Sequence, residues 1–556
     1  LGNVKSKLEM SNIDNIDNAK YNGNIVLENF NIGSFLNRKD VGKVSLDVDV
    51  DGKGFTEKYL DTKFSGDIFK VNYNNYNYTK IIVDGSFKKP IFKGKVFIND
   101  PNLFMDFDGL VNIGKKDLIY DFHTKVDYAN LIKLNFVKDT TAIFKGDVTM
   151  KVSGTNLDNL RGTIYVNETS YQNNKNNYYF DDFTINSSFE ADNTRTITVN
   201  SPDIINGKVV GKFQVNLLQK MLENSLGSLY TNYSPNKIKK GQFLKFDFVV
   251  NNKIIELFYP GVSIGENTNF KGLMNSDDNE FKLNFKSPSI KVNDNYFDNI
   301  QVEVDNKNPL FNTYVTLDSI RTKRYKVRDF SLINVTTKDT LFVRSEFKGG
   351  EKGQDFYNLN LFHTINKDKL NVVGIQKSEL MFKDYLWYLN EKDDEKNTIT
   401  FDKKFNDFTI DDIIMSHENQ KMHLSGLLNG SDDKDLELNF ENVEINKIFP
   451  TVTKFDFRGL LNGDIKVEQD NGIYKPTSAL RIEDLSLNKI ELGNLVLDIE
   501  GDDTFEKFAI KSSIENKNVE SFSADGTIDV VNKQSNLNLE LNFEDFNLGV
   551  LSSLGG

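Results

Sequence analysis

The sequence contains no cysteine, and among its 556 residues there are only seven alanines and nine prolines. Without cysteine the chain has neither a disulfide scaffold nor a thiolate metal site. The scarcity of alanine, the best helix former, argues against a helical protein. The few prolines, with glycine spread along the chain, argue against a disordered one. No apolar run reaches the roughly 18 residues that a membrane-spanning helix needs.

Positive charge is not concentrated in any part of the chain. The 68 Lys and Arg residues are finely interspersed with 81 Asp and Glu, and the net charge is −13. Because there is no basic stripe, we expect no nucleic-acid partner. The chain has no signal peptide and begins at Leu1 rather than Met. We therefore expect a processed protein or an internal fragment, with any membrane anchor outside it.

The apolar residues that are present follow a period of two. Aromatic residues are abundant, with 44 Phe and 21 Tyr, and such residues favour pleated surfaces. Strict alternation over about five to eight residues predicts strands with one apolar and one polar face. Members of this apolar phase, spread along the chain, are Leu46, Val48, Phe107, Val111, Met150, Phe246, Leu283, Phe285, Leu438, Phe440, Leu541 and Phe543.

Turn residues separate the predicted strands and indicate antiparallel meanders. Asp-Gly and Asn-Gly pairs are typical of hairpin turns, and they occur at 51–52, 84–85, 206–207, 429–430, 462–463 and 525–526. Helix is predicted to be minor. The spacing of leucines over 216–227 favours a short helix insertion, and the residues around Trp387, 384–390, suggest a second one.

An internal repeat is visible by comparison of the sequence with itself. The segment at 436–448 matches 539–551, with a third copy at 27–35 and a looser fourth at 126–131. Each copy predicts a strand that ends in a kink where apolar residues turn inward. The copy at 539–551 lacks the Phe-x-Gly strand that follows two of the others. We therefore expect an unpaired final edge and a natural protein that continues further.

The predicted fold is all-β: a long, curled, mostly antiparallel sheet over 1–556 that forms one continuous, elongated hydrophobic groove. About 12 residues per strand and turn would give ~45 strands, too many for one flat sheet. An apolar face cannot be left in water. Sandwiches would require linkers that the sequence lacks, and a membrane barrel would carry aromatic girdles. A trough that keeps its apolar face inside satisfies these constraints.

No residues in the sequence form a catalytic or metal-binding pattern. The segment 47–58 begins like a calcium loop but has Lys58 where glutamate is required, so we interpret it as a strand. Four histidines, His123, His363, His417 and His423, lack the spacing of a zinc site and are expected to be exposed or hydrogen-bonded strand residues. We expect no enzyme, no cofactor and no metal.

Several units resemble a known family. The pattern Leu-x-Leu-x-Phe-x-x-Val-x-Ile-x-x-Ile at 436–448 and the pattern Phe-x-Gly-x-x-x-Gly at 457–463 resemble the repeats of TamB-like proteins, in the AsmA-like, bridge-like lipid transfer family. The segments 474–476, 485–488 and 361–366 resemble them too. The resemblance implies an internal stretch of a protein that is anchored to the inner membrane and crosses the periplasm as a β-groove.

The resemblance also implies partners. These are phospholipid, an outer-membrane barrel of the TamA or BamA type bound through a region outside this chain, and the inner membrane. The leading hypothesis is a lipid conduit lined by the twelve apolar residues named above. The alternatives are a chaperone-like scaffold for outer-membrane protein assembly and a structural surface fibre.

Overall fold

A computed structural model describes residues 2–36, 39–56, 58–88, 90–112, 118–138, 141–174, 176–229, 233–323, 325–394, 396–448, 456–531, 534–544, 546–547 and 549–550. The predicted fold class is confirmed. The chain is 68% strand and 6% helix, and the 36 strands found within these ranges form a long, curled, antiparallel sheet with few short helices. The strands are fewer than the ~45 expected from typical spacing, because many are long, up to 15 residues in one case.

The chain divides into two compact units, and the first comprises Leu1–Ser225 and Asn236–Asn293. Its strands are β1 Asn3–Ser11, β2 Lys20–Asn31, β3 Val41–Lys53, β4 Asp61–Tyr73, β5 Tyr76–Lys88, β6 Ile91–Asp100, β7 Leu103–Asn112, β8 Leu118–Asn130, β9 Ile143–Gly154, β10 Arg161–Gln172, β11 Asn177–Phe180, β12 Phe183–Phe189, β13 Arg195–Asn200, β14 Ile205–Lys212, β15 Phe243–Val250, β16 Val262–Ile264, β17 Thr268–Asn275 and β18 Glu280–Val292. Its helices are α1 Ile32–Leu36, a 3₁₀ turn Val215–Leu217, α2 Leu218–Gly227, which ends just beyond the unit, and α3 Asn252–Phe258.

The second unit comprises Leu226–Pro235 and Asp294–Gly556. Its strands are β19 Asn295–Asp305, β20 Thr313–Arg321, β21 Lys326–Thr337, β22 Thr340–Gly349, β23 Asp355–Ile365, β24 Asn371–Ile375, β25 Ser378–Phe382, β26 Tyr385–Leu389, β27 Thr398–Phe401, β28 Asp407–His417, β29 Gln420–Asn429, β30 Asp433–Glu444, β31 Phe457–Asp470, β32 Ile473–Leu487, β33 Ile490–Gly501, β34 Lys507–Asn516, β35 Val519–Val531 and β36 Gln534–Phe543. One short helix, α4, spans Ile445–Ile448.

Most strands pair with the next strand along the chain, as in a meander. In the second unit the pattern changes locally, because the long β23 pairs with β25 at one end and with β24 at the other. β25 then pairs with β26, and β24 with β27. The β25–β26 hairpin therefore lies side by side with β24 and β27, and β28 pairs with both β26 and β27.

The helix expected around Trp387 is absent, because β26 occupies that position. Tyr385, Trp387 and Leu389 alternate with Leu386 and Tyr388, and bulky aromatic residues favour strands. The hairpin turn before β26 consists of Lys383 and Asp384, both at positive φ, as a type I′ turn requires. The helix α2 lies within the segment for which the sequence predicts a helix insertion.

The prediction of hairpin turns at Asp-Gly and Asn-Gly pairs is wrong at five of the six positions. Only Gly430 lies in a turn, and the other five pairs lie inside strands. At Gly207 (φ 154°) a Cβ would lie 2.1 Å from the Asp247 carbonyl oxygen, so the neighbouring backbone requires glycine there. Tight turns use Asn, Asp and Lys instead, which have positive φ in the pairs Asn74-Asn75, Lys338-Asp339, Asn488-Lys489 and Lys517-Asn518.

The kink predicted in the sequence repeat is a β-bulge. At Asn442 (φ 53°) the register of β30 against β31 shifts, and the following Val443 is fully buried. In the copy at 27–35, the register of β2 against β3 shifts at Asn29 in the same way. At four such bulges the freed N–H donates to a side chain further along the chain: Asn29 to Ser45, Glu168 to Asp182, Asn442 to Asn462 and Asp484 to Asn494.

Candidate functional site

Residues that pair directly across the first unit form largely apolar rows. Paired residues of antiparallel strands have their side chains on the same face, so each row follows one face across the strands. The first row consists of Val50, Phe64, Gly85, Gly94, Gly109, Phe122, Met150, Ile164, Ile185, Val199, Gly207, Phe248, Phe270 and Phe285. Every member is apolar or glycine.

A second row lies two residues further along each strand and therefore on the same face. Its polar members are Thr62 and Ser187. The row consists of Gly52, Thr62, Phe87, Phe92, Val111, Tyr120, Val152, Gly162, Ser187, Ile197, Val209, Phe246, Gly272 and Leu283. We call the face of β1–β18 on which these rows lie the first apolar face; its next row includes the buried Arg195.

The structure places all eight predicted lining residues of the first unit on this first apolar face. Met150 and Phe285 belong to the first row, and Val111, Phe246 and Leu283 to the second. The other three lie in adjacent rows, where Val48 and Phe107 share a row through Gly66, Val83 and Val96, and Leu46 pairs with Ile68. Val48 is buried, and the others are half-buried.

The second unit has equivalent rows, and we call their face the second apolar face. It holds the remaining four predicted residues, Leu438, Phe440, Leu541 and Phe543. Phe440 and Leu541 share the row Met415, Met422, Phe440, Gly463, Leu480, Leu497, Ser512, Ala524 and Leu541. Phe440 is only 6% exposed, whereas Leu541 and Phe543 on β36 are 47% and 48% exposed. Position on the face therefore does not fix burial.

The opposite face of the first unit is polar and solvated. Asn24 donates hydrogen bonds to Asp47 and Asp49 at 2.7 and 3.1 Å. These aspartates lie inside β3, so the segment that resembles a calcium loop begins as part of a strand. Asp247, between Phe246 and Phe248, is exposed on this polar face. The alternation read from the sequence thus separates two chemically different faces.

Glycine and phenylalanine pair repeatedly on the first apolar face. Phe246 lies opposite Gly272 and Phe248 opposite Gly207, and a Cβ on either glycine would lie within 2.7 Å of the facing ring. Rings also follow one another between strands: Phe92 and Phe107 are 6.1 Å apart, and Phe107 and Phe122 are 5.2 Å apart. Covering strand glycines with aromatic rings is a known way to stabilise curved sheets.

A buried polar network lies at one end of the first apolar face. Asp100 accepts hydrogen bonds from the Thr79 N–H at 2.9 Å, the Asn102 N–H at 2.8 Å and the Tyr76 hydroxyl. Nearby Tyr78 is buried. Burial, with the neighbouring Tyr73, Tyr76 and Asp100, raises the pKa of Tyr78 to about 12. The network gives hydrogen-bond partners to the buried polar groups at the end of the apolar rows.

The accessible surface of the chain is large for its mass. The chain exposes 33208 Å² at 63.6 kDa. Two separate compact domains of half that mass would together expose only about 24,000 Å². The excess indicates that a large part of the sheet is not covered by a second layer.

Other kinds of site find no support in the described residues. Each histidine lies in a strand and makes a hydrogen bond, for example His123 with Asp147 at 2.8 Å and His423 with Asp412 at 3.2 Å. Within the described ranges, no three His, Asp or Glu side chains are grouped so that they could hold a metal ion. None of the described helices has the length and apolarity to cross a membrane.

No family model, no curated protein and no solved structure matches this chain. The resemblance to TamB-like proteins therefore rests on the sequence units named above. The sequence did not indicate two features that matter below. These are the deep burial around Trp387 and two exposed phenylalanines in hairpin loops, Phe405 and Phe505.

Proposed function

We propose that the apolar faces hold the acyl chains of phospholipids and let them move across the strands, in a periplasmic, TamB-like conduit. The observation that carries this proposal is the first row of the first unit, in which every member is apolar or glycine and most are half-buried. A row without hydrogen-bonding side chains offers no fixed anchor. An acyl chain can therefore shift from strand to strand at little cost.

The energetics are compatible with lipid binding. Each buried CH₂ group contributes ~0.8 kcal/mol, so a chain of a dozen carbons gains far more than thermal energy. The phosphate headgroup would stay in water at the edge of the sheet, because burying an unpaired charge is expensive. The large exposed surface of the chain is consistent with a face that a lipid, rather than a second protein layer, covers. Placement between two membranes and docking to a TamA- or BamA-type barrel follow from the family resemblance.

The test is photocrosslinking from both faces of one strand. A photoreactive amino acid replaces Phe246 in one variant and Asp247 in the other, and each is mixed with phosphatidylglycerol and phosphatidylcholine vesicles. Burial of only two CH₂ groups at ~0.8 kcal/mol each gives about a tenfold preference. We therefore expect lipid adducts, detected by mass spectrometry, at least about tenfold more often from position 246. Equal labelling from both faces would contradict the proposal.

A charge on the path is the matching functional test. Phe246→Asp should abolish lipid occupancy, while circular dichroism shows an intact sheet, because this half-buried position lets water reach the carboxylate. Asp247→Asn on the polar face is the control and should bind lipid as the unmodified chain does. Phe440→Asp is unsuitable here, because Phe440 is buried and its replacement would also destabilise the fold.

The scaffold alternative requires that a strand edge of this sheet add a strand of a client protein by β-augmentation. Position 541 lies on β36, which pairs with β35 along its whole length. In the crosslinking experiment the scaffold alternative predicts protein adducts from position 541 when an unfolded outer-membrane protein is added, and no lipid adducts from position 246.

A further inference from the structure

Two hairpin loops of the second unit share one unusual backbone arrangement. In the loop at 402–407, the Asp402 carboxylate accepts the N–H groups of Asn406 and Asp407 at 2.7 and 3.1 Å. In the loop at 502–507, Asp502 accepts the N–H groups of Glu506 and Lys507, both at 3.2 Å. In each loop the N–H of the aspartate donates to the carbonyl of the last residue. The aspartates thus close both loops.

The fourth residue of each loop is a phenylalanine in the left-handed region. Phe405 has φ 57° and Phe505 has φ 59°, a conformation that is rare for bulky side chains. Two loops that close one residue earlier, from Glu190 and Asn366, have Asn193 (φ 65°) and Lys369 (φ 64°) as their fourth residue. Loop closure therefore does not require an aromatic residue there.

Burial does not account for the Phe405 ring, which is 64% exposed, and the Phe505 ring also keeps 40% of its surface exposed. A strained backbone that presents an exposed aromatic ring is a reason to look for function.

Both rings extend the second apolar face beyond the ends of its strands. Phe405 stacks on Phe401 at 5.2 Å, and Phe401 stacks on Phe408 at 5.4 Å. Phe401 and Phe408 are in phase with the apolar pair Ile399 and Ile410. These three stacked rings continue the face outward from β27 and β28.

The second loop repeats this arrangement with Tyr474. Phe505 contacts Tyr474 at 5.1 Å, and Tyr474 is in phase with Pro476, which pairs with Val467. β28 to β34 pair consecutively and antiparallel, so β28 and β34 run in the same direction. The two loops precede these strands and therefore lie at the same rim. We call Phe401, Phe405, Phe408, Tyr474 and Phe505 the aromatic lip.

We propose that phospholipid acyl chains cross this rim, over the aromatic lip, when they pass between a bilayer and the second apolar face. This inference rests on the proposed function and adds a lateral route to it. The occupant is an acyl chain because the exposed rings of Phe405 and Phe505 offer apolar surface without a hydrogen-bond donor. Exposed Lys403 and Lys404 directly precede Phe405 and suit a phosphate headgroup that follows the chain.

The test separates the rate of lipid uptake from its extent. Vesicles of phosphatidylglycerol and phosphatidylcholine that contain pyrene-acyl phospholipid are mixed with the intact chain, and loss of excimer fluorescence reports uptake. In Phe405→Gly/Phe505→Gly the two loop rings of the lip are removed, and glycine relieves the left-handed strain. We expect uptake to be at least about fivefold slower, because each lost ring contact contributes on the order of 1 kcal/mol. The final occupancy should be unchanged, and the melting temperature equal or higher.

Two controls make the result specific. Lys369→Gly relieves the same strain in a loop without a ring and should leave the uptake rate unchanged. Phe405→Leu/Phe505→Leu keeps apolar bulk and should retain most of the rate. If the glycine variant takes up lipid as fast as the unmodified chain and reaches the same occupancy, the proposed role of the aromatic lip is wrong, but the proposed lipid conduit is not affected. No uptake by the unmodified chain would overturn the conduit itself.

Discussion

The first and second apolar faces are built from the same kind of paired rows, yet they are buried to different depths. On the first face the buried residues fall into small separate clusters, such as the one around Val48 and Val83. On the second face one cluster extends from Trp387 through Phe440 and Val443 to Ile514. Sequence alternation makes an apolar face, and whether it becomes a core depends on what covers it.

In the second unit the β25–β26 hairpin and α4 both contribute buried side chains to this cluster. Trp387 of β26 is fully buried and stacks with Phe382 at 6.1 Å. The hairpin also contacts α4 through a hydrogen bond, which the Lys383 ammonium donates to the Asn446 carbonyl at 2.9 Å. The first unit places α2 on its face through Met221, but most of its rows stay half-buried. We therefore regard the first face as the more accessible binding surface.

The largest difference in stability between the two faces is expected when a large side chain is truncated. Trp387→Ala should reduce the free energy of unfolding by about 3–5 kcal/mol, because a large cavity forms in a closed core. Phe107→Ala on the half-buried first face should cost only about 1–2 kcal/mol, since little of its surface is removed from water. Chemical denaturation followed by circular dichroism measures both. Equal losses would show that the two faces are equally packed.

The sequence sufficed to predict the strands, the antiparallel pairing and the face on which each of the twelve residues lies, because these follow from a period of two. It did not predict burial. Phe440 and Leu541 belong to one row, but contacts made by residues distant in sequence, such as Trp387 and Val443, bury only the former. The turns were mislocated because glycine serves here inside strands, where neighbouring backbone leaves no room for a Cβ.

The next prediction tests that role of glycine in both units. At Gly207 in the first unit and Gly526 in the second, a Cβ would lie 2.1 Å from a carbonyl oxygen of the neighbouring strand. Alanine at either position should cost about 2–3 kcal/mol of unfolding free energy, through backbone displacement and strain. Gly430→Ala is the control, because nothing lies within 4 Å of its Cβ position, and it should cost about 1 kcal/mol. A loss at Gly207 no larger than that at Gly430 would contradict this account.

A smaller effect is expected from the contacts that hold α4 on the second face. The Lys447 ammonium lies 2.8 Å from Glu444, 3.3 Å from His417 Nε2 and 4.7 Å from the centre of the Tyr385 ring. Lys447→Ala should cost about 1–2 kcal/mol, less than a fully buried pair, because water reaches Glu444. Hydrogen exchange should accelerate in β26 and α4 but not in β1–β18. Lys466→Ala, at a half-buried lysine near Glu437, is the matched control and should change neither.

The smallest prediction concerns alkaline pH and a buried cluster of the first unit. Burial raises the pKa of Tyr78 to about 12, above the ordinary value of 10.0. The folded state therefore keeps the phenol proton more firmly than the unfolded state does. The resulting stability is fully present below pH 10 and is lost as pH rises towards 12. Tyr78→Phe should behave like the unmodified chain at neutral pH and unfold at higher pH in an alkaline titration followed by circular dichroism. Tyr179→Phe, at an exposed position, should leave the alkaline midpoint unchanged, and an equal shift in both variants would show that burial of Tyr78 is not the cause.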